Sequence, residues 1–363
     1  MIGIRRADFA YGNTRLRARK GELLDNAAYE RLLGKDIDGL LGALPGTPYA
    51  PHAPRGEPTG GLRRLHLAIR LRLADSLEQM RSFYSGPARE LVDVLLSRFD
   101  IQNVITVLRA RARPETPLDD ALSALIPVGW LVEPLTGEIL RPQELAGVVN
   151  LLARRMPDRE QADVLRTAFG EYERTGDLAA LERRVLADHV ARLAGRLASS
   201  GKDGVTLLRF ARREVDERNL VDALRLRAAI ASGAQGTVPA ADIALEGGSI
   251  PAAALATVAS AETPAAIVAT VGRLAGGIWR APLERWAATD DLHALQRSFE
   301  RASIAGAIAL FVTGDPLGID VPLAFTTALQ VETRNLRLVG EAAVRGIAPG
   351  AVRAELIWPE GPA

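Results

Sequence analysis

The chain has 363 residues, 48% hydrophobic and 25% charged, with a formal net charge of +1. That length allows two or three domains, and the balance is globular, neither disordered nor fibrous. There is no cysteine, which excludes disulfide scaffolds, thiolate zinc sites, iron–sulfur clusters and cysteine nucleophiles together.

The opening residues, Met1-Ile2-Gly3-Ile4-Arg5-Arg6, lack the apolar stretch of a secretory signal, so none is expected. Residues 11–24 are dense in cations: Arg15, Arg17, Arg19 and Lys20. On a helix Arg15 and Arg19 share a face and Arg17 points elsewhere. Residues 1–112 hold 18 basic and 12 acidic residues, net +6; 113–228 are net −1 and 229–363 net −4. A basic front fits nucleic acid, a membrane surface or an acidic protein face, or simply arginines on solvated helices. No aromatic-interleaved basic motif supports nucleic acid, so no nucleic-acid partner is expected.

A first helix is expected at about 28–42, followed by a Pro/Gly-rich linker at 45–61. Helices at 62–83 and 87–112 come next, the latter started by Ser85-Gly86-Pro87. Pro127-Val128-Gly129 marks a turn. Then follow a helix at 143–155, a helical pattern at 159–174, and helices at 177–199 and 203–229. After the turn at Gly247-Gly248, helices are expected at 264–275, 291–312 and 320–344. Asp177, Asp203, Asp291 and Asp320 sit where helix caps are wanted. Strand signals are scarce, so the fold is expected to be all-α.

Three segments share one pattern. Asp100-x-x-Asn103 and Asp216-x-x-Asn219 each have Leu-Arg five and six residues on, ending at Arg109 and Arg225. Glu332-x-x-Asn335 keeps the acid and the Asn, has Arg337 nearby, and carries Gly340-Glu341 where Leu-Arg would stand. The three Asn lie 116 residues apart each time. Phe99, Val215 and Val331 all stand four before the Asn. A second register agrees: Leu62, Leu65 and Ile69 recur as Leu178, Leu181 and Val185, then as Leu292, Leu295 and Phe299. These spacings are one face of a helix. The chain is therefore read as three repeat units, 1–112, 113–228 and 229–345, with a C-terminal tail at 346–363. A buried acid or Asn on such a face needs hydrogen-bond partners and can fix register where helices cross. The functional alternative is that the three Asn converge on one axis to grip a partner.

Little here suggests chemistry. His52, His66, His189 and His293 lack metal-ligand spacing, so no metal is expected. Ser200-Gly201-Lys202-Asp203 resembles the end of a phosphate-binding loop, but the spacing from Gly195 is wrong and Asp replaces the magnesium-holding hydroxyl. No carboxylates group as an acid/base pair, so no catalytic residue and no cofactor is expected. The longest apolar run, 302–314, is too short for a bilayer, which needs about 20 residues.

The chain resembles the C (or d) subunit of rotary V-type and A-type ATPases, the AC39 family. The residues carrying this are Tyr11, Arg15, Arg17, Leu23 and Leu24 at the start, Arg98-Phe99-Asp100-x-x-Asn103, Asp216-x-x-Asn219, and Val331-Glu332-x-x-Asn335-Leu336-Arg337 with Gly346-Ile347-Ala348-Pro349. The resemblance implies three pseudo-equivalent helical domains arranged as a funnel. It implies a non-catalytic socket between the membrane proteolipid rotor ring and the central-stalk subunits D and F. Such a subunit lies peripherally on the cytoplasmic face and touches the membrane only through the ring. On that reading Arg15, Arg17, Arg19 and Lys20 are possible partner-binding residues. The alternatives are a helical-repeat adaptor unrelated to rotary motors, or an enzyme with an unobvious site.

Overall fold

The computed structural model describes residues 7–53, 60–113, 124–126, 128–131, 137–139, 141, 144–233 and 244–359. Among these residues there is no strand, and the fold is all-α. In chain order the helices are α1 (Ala10–Arg19), α2 (Asn26–Leu32), α3 (Ile37–Ala43), α4 (Gly61–Ser82), α5 (Gly86–Ala112), α6 (Leu145–Arg155), α7 (Arg159–Thr175) and α8 (Leu178–Leu197). They continue with α9 (Gly201–Ala231), α10 (Ala252–Ala259), α11 (Pro264–Val271), α12 (Arg280–Thr289), α13 (Leu292–Thr313), α14 (Asp320–Arg345) and α15 (Pro349–Glu355). The linker expected at 45–61 lies partly outside the described residues; 44–46 and 50–52 form short 3-10 turns.

Contacts group the chain into two compact units: 1–152 with 307–363, and 153–306. In the first, α4 packs along α14, and α3, α1 and α15 pack around that pair. Tyr29, Leu40, Leu65, Ile69, Leu336 and Val339 build its core. In the second, α7 packs on α8, α8 on α9, and α9 on α10. Leu220, Leu224, Ile267, Trp279, Leu283 and Phe299 fill its core.

Sequence chemistry sets the helix ends. Asp25, Asp36, Asp177 and Asp291 each accept an N–H three residues on, for example Ala180 N–H to Asp177 at 2.9 Å. The single helix expected at 28–42 is instead two. Gly34 takes φ +78 after α2, and Asp36 caps a new start. Asp203 and Asp320, expected as caps, lie inside the first turns of α9 and α14 instead. Ser200 and Ile319 precede those helices, and Asp320 accepts the Asp315 N–H at 2.6 Å.

The apolar register lands in the same state three times. Leu65, Leu181 and Leu295 are buried, as are Ile69, Val185 and Phe299. Leu62, Leu178 and Leu292 are half-buried in each case. Gly340 explains why the third motif departs from the other two. A Cβ there would overlap Leu65 of α4, so α14 approaches α4 only because the residue is glycine.

Candidate functional site

The three Asn are buried, and the partners of each are backbone groups of a segment that follows its long helix. In the first copy Asn103 of α5 donates to the Ile126 carbonyl at 2.6 Å and accepts the Ile126 N–H at 2.9 Å. One turn earlier, Asp100 accepts the N–H of Trp130 at 3.1 Å. Burial pushes the Asp100 carboxyl up to about 7, partly offset by the Trp130 and Leu131 amides and by Arg81.

The second copy repeats the Asn pair and adds a side-chain donor to the acid. Asn219 of α9 donates to the Leu245 carbonyl at 2.9 Å and accepts its N–H at 2.7 Å. Asp216 accepts the N–H groups of Ser249 at 2.7 Å and Ile250 at 2.9 Å, and also the Ser249 hydroxyl. In both copies a glycine stands three residues after the gripped apolar residue. A Cβ at Gly129 or Gly248 would overlap the carboxylate of Asp100 or Asp216. The acid thus sits where only a glycine leaves room.

The third copy keeps the Asn pair and redirects the acid. Asn335 of α14 donates to the Ile357 carbonyl at 2.8 Å and accepts its N–H at 3.1 Å. Glu332 instead accepts the Leu24 N–H and the Tyr49 hydroxyl, each at 2.6 Å. Burial raises the Glu332 carboxyl, and burial together with the nearby Glu332 charge raises the Tyr49 hydroxyl. The segment expected as a tail is integral to the first unit: Val352 and Leu356 are core, and Trp358 meets Tyr29 edge-on.

All three Asn are therefore occupied inside their own units. The partner is a non-helical turn, where a crossing helix was expected. A turn has unpaired amides and carbonyls to offer, and helix interiors do not. The three arginines share no role. Arg109 and Arg225 are exposed, with Arg225 on Asp222 at 3.0 Å, whereas Arg337 is largely buried near Arg70. The gripped residues Ile126, Leu245 and Ile357 were not recognised from sequence. Their signal was an apolar residue 22 to 26 positions after the Asn, with Gly129 and Gly248 three further on in two copies.

The basic opening helix gathers around two rings. Arg15 and Arg19 lie over Phe83, with guanidinium-to-centroid distances of 5.2 and 5.7 Å. Lys20 lies 5.2 Å from the Phe311 ring, and Arg17 donates to the Phe311 carbonyl at 3.4 Å. Arg19 also meets Glu22 at 3.3 Å, which Arg72 shares. Asn13 pins the helix, donating to the Pro316 and Gly318 carbonyls at 2.9 Å and accepting the Tyr84 hydroxyl at 2.7 Å. Gly12 allows this, because a Cβ there would enter the Tyr84 ring. Tyr11, Val312 and Leu317 are 66%, 82% and 62% exposed beside these cations. The surface is cationic and apolar at once.

Among the described residues no group of His, Asp and Glu is arranged to hold a metal. His189 is half-buried, and desolvation pushes it down to about 4. Lys202 lies in the first turn of α9, and the element before it is the helix α8, so no strand leads into it as a phosphate loop requires. No helix of the described residues is long and apolar enough to cross a membrane.

Residues 12–355 match the family described as ATP synthase (C/AC39) subunit. The V-type ATP synthase C subunit of Thermus thermophilus is 29% identical over 353 residues, 97% of this chain and 99% of that protein. The A-type ATP synthase C subunit of Haloferax volcanii is 26% identical over 350 residues, 96% of this chain and 97% of that one. The V-type ATP synthase C subunit of Deinococcus radiodurans is 25% identical, covering 96% and 91%.

Proposed function

The chain belongs to the ATP synthase (C/AC39) subunit family, whose members are non-catalytic structural subunits of rotary ATPases, and from that premise we propose that it is the socket joining the central stalk to the membrane rotor ring. On this reading the proteolipid ring takes one surface and stalk subunits D and F take another. The chain then lies peripherally on the cytoplasmic side, reaches the membrane only through the ring, and passes rotation between ATP chemistry and proton or sodium movement. The observation that carries the reading is the family match across 12–355, with relatives covered almost end to end. An adaptor unrelated to rotary ATPases is set aside by the same match.

Three repeats, 1–112, 113–228 and 229–345, closing as a funnel, are part of this proposal. Their support is the Asn grip, built three times at 116-residue intervals, with the acid joining it in the first two copies. A torque coupler has to be stiff, and side chains that tie each long helix to its following turn supply stiffness. We assign a partner to the surface of Arg15, Arg17, Arg19 and Lys20, bordered by Tyr11, Val312 and Leu317. Replacing Arg15 and Arg19 by Glu tests it. Binding to purified ring or stalk is expected to fall and to lose its salt dependence, with the melting temperature nearly unchanged. Undiminished binding removes this surface from the interface.

A further inference from the structure

Several arginines of the second unit are spent on a neighbour. Arg166 meets Asp163 at 2.6 Å, Arg280 meets Glu284 at 2.8 Å, and Arg192 holds Asp158, Glu160 and Asp188. Arg209 and Arg212 of α9 differ. Both are exposed, and neither has a hydrogen-bond or ion-pair partner among the described residues. They stand three apart on one face of α9, with side chains one helical turn from each other.

That face borders a cavity of about 560 Å³ within the second unit. Val205, Leu208 and Ile278 give it an apolar wall, and Val205 is 55% exposed at the rim. Arg209, Arg212, Arg213, Asp216 and Ser249 complete the lining. One carboxylate among three guanidinium groups offsets only part of their charge. Asp216 is fully buried and already accepts the N–H groups of Ser249 and Ile250 and the Ser249 hydroxyl. Arg213 faces Glu217, whose ionised form it favours. The lining keeps a net positive charge beside an apolar recess.

We infer that this groove binds an acidic segment of another subunit of the complex, with an apolar side chain lowered between Val205, Leu208 and Ile278 and carboxylates on Arg209 and Arg212. The inference rests on the reading that the chain works inside a rotary ATPase. It adds a second recognition site, on a different unit from the α1 surface. A small anionic ligand fits less well. Small-molecule pockets enclose about 70–90% of their ligand, whereas Val205, Arg209 and Arg212 leave this recess open along the helix. A polypeptide lying along α9 covers that open side itself. Charge complementarity of this kind sets orientation and encounter rate as well as affinity. The partner motif is one apolar residue with Asp or Glu on either side, spaced to match a helical turn.

The test places p-benzoyl-phenylalanine at Val205 of the full chain, assembles it with ring and stalk subunits prepared without this chain, and identifies the photo-cross-linked peptide by mass spectrometry. A single peptide bearing an apolar residue flanked by acids is expected. Arg209→Glu with Arg212→Glu is expected to abolish that cross-link and weaken assembly about tenfold at moderate salt, with an unchanged melting curve. Arg209→Gln with Arg212→Gln serves if the reversal disturbs folding, and a smaller loss is expected. Failure of the unaltered chain to assemble would defeat the rotary-ATPase reading itself. If it assembles, the groove proposal is overturned by no cross-link, by a cross-link to lipid or to a segment without acids, or by assembly unaffected by charge reversal.

Discussion

Asn219 and Leu245 exchange two hydrogen bonds, amide to carbonyl at 2.9 Å and N–H to amide oxygen at 2.7 Å. A side chain thereby pairs with one residue's backbone much as a neighbouring strand would. Asn is suited to this because its amide offers a donor and an acceptor side by side.

Removing that side chain leaves a buried N–H and a buried C=O unpaired. Each unmet group costs about 1–3 kcal/mol. Asn219→Ala is therefore expected to destabilise the protein by about 2–4 kcal/mol, with similar losses for Asn103→Ala and Asn335→Ala. Asn219→Asp is not a rescue, since it sets a second acceptor against the Leu245 carbonyl. Urea unfolding followed by circular dichroism gives the comparison. A loss under about 0.5 kcal/mol, the level of ordinary surface changes, would mean the pair does not hold the turn.

Gly248 and Asp216 should behave as a coupled pair. Gly248 lacks the positive φ of Gly129, so its replacement tests steric overlap without backbone strain. Gly248→Ala is expected to cost more than about 1 kcal/mol in the native background and clearly less once Asp216→Ala has removed the carboxylate. Additive effects in the double-mutant cycle would contradict the close approach.

The helical skeleton was legible because it depends on local spacing. Leu62, Leu65 and Ile69 mark their buried face by interval alone, and Asp177 and Asp291 mark helix starts by residue type. The Asn repeat was legible as a repeat. Its partners were not, since Ile126, Leu245 and Ile357 contribute backbone atoms, and backbone atoms carry no residue-type signal. The break between α2 and α3 was missed because apolar periodicity continues across Gly34. Nor could sequence place Arg15 and Arg19 over Phe83, a contact made between elements far apart in the chain.

Gly12 should control the docking of α1. Gly12→Ala drives a methyl group into the Tyr84 ring and is expected to displace α1, breaking the Asn13–Tyr84 bond. Trypsin then cuts at Arg15, Arg17, Arg19 or Lys20 faster than in the native protein, as expected for a locally opened segment. Shortening Tyr84 to Leu in the same background should restore part of the protection. Equal digestion of native protein and Gly12→Ala would show that α1 is not held by this contact.

Glu217 gives a pH dependence whose sign is fixed. Burial pushes its carboxyl from 4.5 up to about 7, against the stabilising Ser303 hydroxyl and Arg213. Between those values the folded state binds more protons than the unfolded one, so stability falls as pH rises and then levels above about 7. Glu217→Gln removes this pH-dependent contribution. The variant is expected to match the native protein near pH 4.5 and to exceed it by about 1–2 kcal/mol at pH 8. Stability curves that stay parallel over that range would contradict the burial of a titrating carboxyl there.

The coupling role is tested most directly by ATP-driven ion uptake into vesicles carrying the reconstituted rotary ATPase, with and without this chain. Without it, ATP hydrolysis by the soluble sector should persist while ion uptake is lost, and adding the purified chain should restore uptake. Ion uptake that proceeds undiminished in its absence would contradict the account.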